Sequence, residues 1–454
     1  LTKKPGEIVS VRVKDLAFDG KSVAEIDGKI LFLNAGLPGE LVRAEITRSK
    51  PNYDIGRTVE ILEKSDKRIP ARCAHFEICG GCTWQDLDYE LQLNYKRKQI
   101  DDCLKHIGKF ETIDLAEALP APDQFHYRNK MEFSFNHEDP DGFVLGLHRR
   151  GHFDEIFDLT ECHLAPDVIT DIVKWFRAFV KESGMTVYHV ARHKGFLRFF
   201  MIRRAFNTGQ IMINIVTVDG ALANAAEMIA RIKAGFPDVV TVVQNINNSK
   251  SNIAKGEKEI IHFGPGFIEE EILDCRFRIY ANSFFQTNSR QAETLYRTAF
   301  ELLEPDKNHK LLDLYCGAGT IGLTVSKLVN EVVGIELEQT AVDAARENAN
   351  INGINNVSFH SGLVQELLIK EPGILKGIDS IITDPPRAGM HPKAIKALVE
   401  SGCPKLVYIS CNPSTFARDA MMLTQSGYDM GKVIPVDMFP HTMHIELVSV
   451  FTKK

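Results

Sequence analysis

The sequence predicts an α/β chain whose carboxyl-terminal part is a Rossmann-like, mostly parallel sheet. In front of it stand a small OB-like β-barrel and a mixed α+β central domain. Three observations carry this. From residue 310 short apolar runs alternate with amphipathic helical patterns, as buried parallel strands between helices do. Residues 5–63 instead hold five short strand patterns broken by turns. The stretch between mixes both periodicities.

In the opening segment the strand patterns are IVSVRVKDL, SVAEI, KILFL, LVRAEIT and TVEIL, separated by FDG, IDG and LPG. Such a barrel either binds nucleic acid or is structural, and its balanced charge does not separate the two. A cysteine-rich stretch, RCAHFEICGGCTWQ, follows at 72–85, then a polar helix near YELQLNYKRKQIDDCLKHIG. FHYRNKMEFSFN, FVLGLHRR and FLRFFMIRR read as central strands, and a helix near 289–303 leads into the last part. There LLDLYCG, EVVGIE, IDSIITDPP and KLVYISCNP read as strands. TIGLTVSKLV, QTAVDAARENANING and HPKAIKALVES read as helices, and HIELVSVFTKK as a terminal strand.

At 454 residues two or three domains are expected, and 44% hydrophobic with 25% charged residues is a globular composition. No apolar run reaches the roughly 18 residues of a membrane span, and LTKKPGEIVS has no export signal pattern. Nine cysteines without such a signal argue for free thiols, a metal centre or catalysis in a reducing compartment, and so for a cytoplasmic location. The formal net charge of −6 argues weakly against a surface coated in cations for nucleic acid and leaves local basic patches open.

LLDLYCGAGTIGL places Gly317, Gly319 and Gly322 as G-x-G-x-x-G between a strand and a helix. Glycine there permits a tight turn and close approach of a ligand to bare backbone. Glu336 ends the next strand, where a carboxylate takes a ribose hydroxyl pair. This geometry suits NAD and S-adenosylmethionine equally. The downstream residues separate them: Asp384 in TDPPRAG and Cys411 in SCNP end parallel strands, where ligands of open α/β sheets sit. Two reactive groups there fit methyl transfer better than hydride transfer. Methylation of an exocyclic amine is disfavoured, because Arg387 rather than an aromatic residue follows Asp-Pro-Pro.

A pyrimidine C5 becomes nucleophilic when a thiolate adds to C6, and a base must then remove the C5 proton. Cys411 fits the nucleophile, with Arg387 and Arg418 as candidates to lower its pKa. Glu446 in FPHTMHIELVSVF is the candidate base, desolvated among apolar neighbours. His441 and His444 are alternative bases, and an outward-facing strand glutamate is the bland alternative.

Cys73, Cys79 and Cys82 stand in C-x5-C-G-G-C spacing, with Cys162 in LTECHLAP the nearest fourth thiol; Cys103 reads as helix filler. Four thiols allow zinc or a [4Fe–4S] cluster, and the single C-x2-C knuckle favours iron–sulfur. RHKGFLRFFMIRR at 192–204 interleaves five Arg or Lys with three Phe. On a strand this would give a phosphate-binding face backed by aromatics, or a solvated run over core. RIPAR with KSDK is a second basic stretch.

Together these residues resemble the S-adenosylmethionine-dependent RNA uracil-C5 methyltransferases, specifically the ribosomal-RNA type with an iron–sulfur cluster. The barrel resembles a TRAM domain. SFFQTN, DLYCGAG, TDPPRAG, SCNP and PHTMHIE follow in the family's order. The resemblance implies Cys411 as nucleophile and Glu446 as base. It places Asp384 between cofactor and uracil, and Gln286, Tyr315, Gly317, Gly319 and Glu336 at S-adenosylmethionine. Cys73, Cys79, Cys82 and Cys162 would hold a [4Fe–4S] cluster. The implied domains are 1–63; 64–90 with 121–280; and 91–120 with 281–454. Leu363 stands where the family commonly has an Asp or Asn near the adenine, leaving that contact to backbone or to Gln365. The implied substrate is an RNA loop, 23S rRNA first and the tRNA T-loop second, acted on by a monomer with no membrane or obligate protein partner. A non-catalytic cluster-bearing RNA-binding protein and a cytosine-C5 enzyme are the competing readings.

Overall fold

The structure, a computed structural model, describes residues 3–17, 19–138 and 142–454. Strands β1 (Ile8–Leu16), β2 (Ser22–Ile26), β3 (Lys29–Leu33), β4 (Leu41–Ser49) and β5 (Tyr53–Glu63) close a barrel in the order β1-β2-β3-β5-β4. Alternation along β1 turns Val9, Val11 and Val13 inward against Leu31, Leu33, Val42 and Ile46. Outside, the charges neutralise one another: Arg12 pairs with Glu63, Lys14 with Glu25 and Arg57 with Glu45. The basic stretch after the barrel is also partly consumed, since Arg68 pairs with the buried Glu40 and with Asp86.

Helix α1 (Tyr89–His106) starts at Asp88, whose carboxylate accepts the Glu90 N–H, and ends in Lys105 and His106, as its dipole favours. Its Lys96 is completely buried against Asp437 at 2.6 Å, and Lys96 also donates to Phe439 O. Tyr89 OH donates to the other Asp437 oxygen. A buried pair this well satisfied is costly to break, about 3–5 kcal/mol for loss of one partner. The chain after α1 continues along the edge of the last sheet, with Ala116 and Leu119 donating to Val433 O and Pro435 O.

The central part is a seven-stranded sheet in the order β12-β11-β10-β9-β6-β7-β8. Its strands are β6 (Lys130–Glu138), β7 (Gly142–Arg149), β8 (His152–Asp158), β9 (Leu197–Arg204), β10 (Ile211–Thr217), β11 (Val239–Ile246) and β12 (Lys258–Phe263). Helices α2 (Asp167–Ser183) and α3 (Ala225–Gly235) cover one face; Phe176 of α2 stacks on Phe200 at 4.0 Å. A hairpin of β13 (Phe267–Ile272) and β14 (Cys275–Tyr280) follows.

The expected phosphate-binding face of RHKGFLRFFMIRR is not built. Every residue of β9 but the last is buried. Arg198 spends its guanidinium on the carbonyls of Asn247, Ser249 and Ser251, clamping that loop, while Phe199 and Phe200 are core. The alternation was real, but both faces of this strand are covered.

The last sheet has the order β17-β16-β15-β18-β19-β21-β20. Preceded by α4 (Ser289–Leu303), its elements are β15 (Lys310–Leu314), α5 (Thr320–Val325), β16 (Glu331–Glu336), α6 (Gln339–Ile351), β17 (Val357–Ser361) and α7 (Val364–Lys370). Then come β18 (Ser380–Thr383), α8 (Pro392–Ser401), β19 (Lys405–Ser410), α9 (Pro413–Gln425), β20 (Tyr428–Val436) and β21 (Glu446–Lys453). Strands β15 to β19 run parallel, and β21 inserts antiparallel between β19 and β20. Helix α5 is shorter than TIGLTVSKLV predicts, ending in a 3-10 turn at Ser326–Leu328.

Candidate active site

The carboxyl ends of the parallel strands open into a cleft of about 1650 Å³. Gln286, Tyr315, Gly317, Glu336, Asp384, Cys411 and Glu446 all line it. Sheet register explains the reactive corner. Ser410 of β19 pairs with Leu447 of β21, so the next two positions, Cys411 and Glu446, meet at the sheet's end. Asp384 sits one residue past Thr383, which pairs with Tyr408 on the other side of β19.

The turn after Cys411 is built by its neighbours. Asn412 caps α9 by accepting the Ser414 N–H at 3.0 Å, Pro413 takes the first helical position, and the Asn412 amide donates to Arg387 O. The thiol therefore sits just before a helix amino end, beside the 384–388 loop. Burial pushes it up to about 12, Glu446 and Asp384 push in the same direction, and Arg387 opposes them. Arg418 takes no part: its guanidinium is bound to Asp419 and to the carbonyls of Ala388 and Met390.

Burial raises the Asp384 and Glu446 carboxyls, and proximity to Asp384 raises Glu446 further while Arg387 lowers it. Desolvation favours the protonated form of each, and the like charge of Asp384 adds to that at Glu446. The two histidines differ. His441 is enclosed, with Nδ1 facing the Gln92 amide, its backbone N–H donating to Gln92 Oε1 and its ring stacked on Phe125 at 4.3 Å. Its φ of 64° is a strained value that these partners hold in place. His444 lines the cleft. Burial lowers both rings to about 4, so neither is a strong base.

At the other end of the cleft, Glu336 accepts the Gly317 N–H at 3.0 Å and the Glu338 N–H at 2.9 Å. Gly317 has φ +55° and open space where a Cβ would point, a cradle that a ligand can fill. Gly319 differs from its expected role: it caps α5 at φ +82° and packs on Ala345 and Leu323 instead of lining the cleft. Gly322 lies on Asp313, whose carboxylate accepts its N–H at 2.9 Å and is raised to about 8 by burial. Leu363, Val364 and Gln365 do face the cleft. The sequence reading missed Asp313, although an acid inside the apolar strand KLLDL was a signal. It also missed Phe284, 73% exposed on the cleft wall, and Arg128.

The cysteine loop reaches the same cleft through Gly80 and Gly81. Cys73, Cys79, Cys82 and Cys162 come together: Cys73 is raised to about 11 and Cys82 to about 12, by burial first and by neighbouring thiols next. Donors point at the sulfurs, the Gly81 N–H at Cys79 and the Gln85 amide at Cys82. Arg150 ties the loop together through the carbonyls of Phe76, Cys79 and Cys82. Among the described residues no group of three or more His, Cys, Asp or Glu is gathered around one metal ion. The four thiols act on one another electrostatically without being gathered as a metal-ligand group. Thr83 and Trp84, directly after Cys82, donate to His441 O, joining this loop to the turn that leads into Glu446. Cys103 is buried filler on α1, as expected.

The family model for tRNA (Uracil-5-)-methyltransferase matches residues 88–454, and that for the TRAM domain residues 2–59. The chain belongs to the tRNA (uracil-5-)-methyltransferase family. It is an enzyme of that class, an RNA uracil-C5 methyltransferase that uses S-adenosylmethionine, with a TRAM domain at its amino-terminal end. An uncharacterized RNA methyltransferase of Chlorobaculum tepidum is 38% identical over 99% of this chain and 97% of its own. One from Caldanaerobacter subterraneus is 36% identical over 99% of both. The crystal structure of Pyrococcus abyssi tRNA (uracil-54, C5)-methyltransferase with S-adenosyl-L-homocysteine has a TM-score of 0.78 at 30% identity, covering 98% of this chain and 99% of that one. No described helix is long and apolar enough to cross a membrane.

Proposed function

We propose that the chain methylates C5 of a looped uridine, most directly in 23S rRNA, through a covalent adduct at Cys411. The observation that carries this is the meeting of Cys411, Glu446 and Asp384 at one end of a cleft whose other end holds the Gly317 cradle. S-adenosylmethionine, when bound, supplies an electrophilic methyl group. Gln286, Tyr315, Gly317 and Glu336 would hold it, with Leu363 and Gln365 at the adenine end.

Cys411 gives its proton through Glu446 to solvent, so that Glu446 is again a carboxylate, and the thiolate adds to C6. The displaced ring electrons make C5 the nucleophile. With C5 methylated, Glu446 takes the C5 proton, the C5–C6 double bond re-forms and the C6–sulfur bond breaks, returning the thiolate. Asp384 stays beside the ring and keeps a proton available to it. Extruding the base costs a few kcal/mol, least in a loop.

Cys73, Cys79, Cys82 and Cys162 would hold a [4Fe–4S] cluster with a structural role, since the loop anchors His441 ahead of Glu446. The division 1–63; 64–90 with 121–280; and 91–120 with 281–454 accommodates these sites, with Lys96 of α1 serving the catalytic part. The protein is proposed to act as a cytoplasmic monomer. A second reading, the tRNA T-loop, is favoured by the likeness to the Pyrococcus abyssi enzyme, whose name gives tRNA position 54. The test is transfer of labelled methyl groups to purified 23S rRNA and to tRNA, with the modified nucleoside mapped. 5-Methyluridine in 23S rRNA supports the first reading. Label confined to position 54 of tRNA replaces it with the second, and label on cytidine overturns both.

A further inference from the structure

We propose that Gln92 and Tyr127 are positioning residues for Glu446: they fix the loop that carries the base to the end of the cleft. The inference rests on the reading of Glu446 as base and adds what holds it there. Val436 of β20 pairs with Glu446 of β21, so residues 437–445 form the loop that closes this hairpin. Phe439, Thr442 and His444 of that loop line the cleft together with Glu446. The influences on the Glu446 carboxyl are burial, Asp384 and Arg387, with no hydrogen bond from the described residues among them. Its place is therefore set by the backbone that carries it.

That backbone is held at four consecutive carbonyls, each by a different part of the chain. Asn288, at the amino end of α4, donates its amide to Met438 O at 3.0 Å. Lys96 of α1 donates to Phe439 O at 3.0 Å, and Tyr127 OH, just ahead of β6, donates to Pro440 O at 3.0 Å. Thr83 and Trp84 of the cysteine loop take His441 O. A loop at a sheet end can leave such groups to water; here they are satisfied from inside, by side chains that are themselves buried. Gln92 completes the set. Its Oε1 accepts the His441 backbone N–H at 2.9 Å, which turns its amide nitrogen toward Trp84 O at 3.0 Å, Leu87 O at 2.8 Å and His441 Nδ1 at 3.2 Å. One side chain thus ties α1 and the cysteine loop to the loop ahead of Glu446. It does so at His441, whose φ of 64° a free loop would relax. The Thr442 hydroxyl passes the constraint on, donating to Phe439 O at 2.9 Å and accepting the His444 N–H at 3.2 Å, two residues before the base.

The test uses the full-length protein in single turnover, with labelled S-adenosylmethionine and an RNA that the parent methylates, tritiated at uridine C5. Methyl incorporation reads attack by C5, and tritium release reads removal of the C5 proton. Tyr127→Phe deletes one hydroxyl and leaves the ring in place; Gln92→Met deletes the amide at similar volume. A base misplaced by about 1 Å loses about 10²-fold. Tritium release should therefore lag methyl incorporation by about tenfold to 10²-fold in both variants, with a methylated adduct in between. The two readouts run together in the parent, and S-adenosylmethionine affinity should not change. In a Glu446→Gln background neither substitution should slow tritium release further, because the group being positioned is gone. Tyr127→Phe answers the question even where Gln92→Met fails to fold. A purely structural role lowers both readouts equally, in proportion to the protein folded. Equal loss of the two, or additional slowing in the Glu446→Gln background, overturns the proposal. If Glu446→Gln itself shows the lag, the reading of the base survives that failure. Glu446→Gln without a lag overturns both.

Discussion

Cys411 and Cys82 are both held near 12, yet they sit in opposite kinds of site. Around Cys411 the groups that add to burial are Glu446 and Asp384, with Arg387 opposing. Around Cys82 they are Cys162, Cys79 and Cys73, with an amide N–H on the sulfur. The same shift thus means different chemistry. A thiol facing carboxyls has a place to send its proton and bases to finish a reaction. A thiol facing thiols has neither, and on the proposed cluster reading is relieved when a cationic centre takes all four as thiolates. Burial alone marks neither thiol as reactive, and the partners decide.

Changes at the partners should pull the two sites apart. The largest effect is expected for Glu446→Gln, which removes the base and leaves the nucleophile. Methyl transfer should fall roughly 10²–10⁴-fold, and the protein should accumulate as an RNA adduct on a denaturing gel. Turnover without adduct would move the base elsewhere. On the proposed cluster reading, Cys82→Ser should act on the other site, lowering bound iron from about four per chain and bleaching visible absorbance. Its S-adenosylmethionine affinity, measured by calorimetry, should remain. Full iron content in the variant would break the comparison.

The pH dependence comes next. Nucleophile and base both react deprotonated and both are raised, the thiol to about 12, so the rate should climb as pH rises through neutral and keep climbing above about pH 9. Asp384→Asn removes a negative neighbour from both, so its profile should move to lower pH while its ceiling falls. A profile that keeps its position would contradict the coupling. The smallest effect belongs to Arg387→Ala. It removes the cation that opposes the rise of Cys411, and a rise of about one pKa unit lowers the thiolate fraction about tenfold at fixed pH. Iodoacetamide reactivity of Cys411 against pH reads this directly.

What could be read before the structure follows from how local each signal is. The five barrel strands, the Gly317 turn and the strand-end positions of Asp384 and Cys411 lie in short contiguous patterns. Strand β20 went unassigned; it carries Gly431 and Pro435, which weaken a strand pattern but which an edge strand tolerates. The pairing of Cys411 with Glu446 could not be read, because it depends on β21 inserting antiparallel between β19 and β20. Charge misled most. Arg198, Arg68 and Arg418 looked available and are bound to carbonyls or carboxylates, whereas Arg128, which lines the cleft, was read only as part of a central strand pattern. Whether a cation is free is settled by distant partners, and sequence spacing carries none of that.

The measurement that tests the central claim most directly is covalent trapping with 5-fluorouridine RNA. Purified protein, S-adenosylmethionine and 23S rRNA fragments or tRNA carrying the analogue are incubated, digested, and mapped by mass spectrometry. Fluorine at C5 cannot leave as a proton, so the account predicts a methylated 5-fluorouridine joined through C6 to Cys411, and none with Cys411→Ala. An adduct on another cysteine, or methylation by Cys411→Ala at the parent rate, would contradict it.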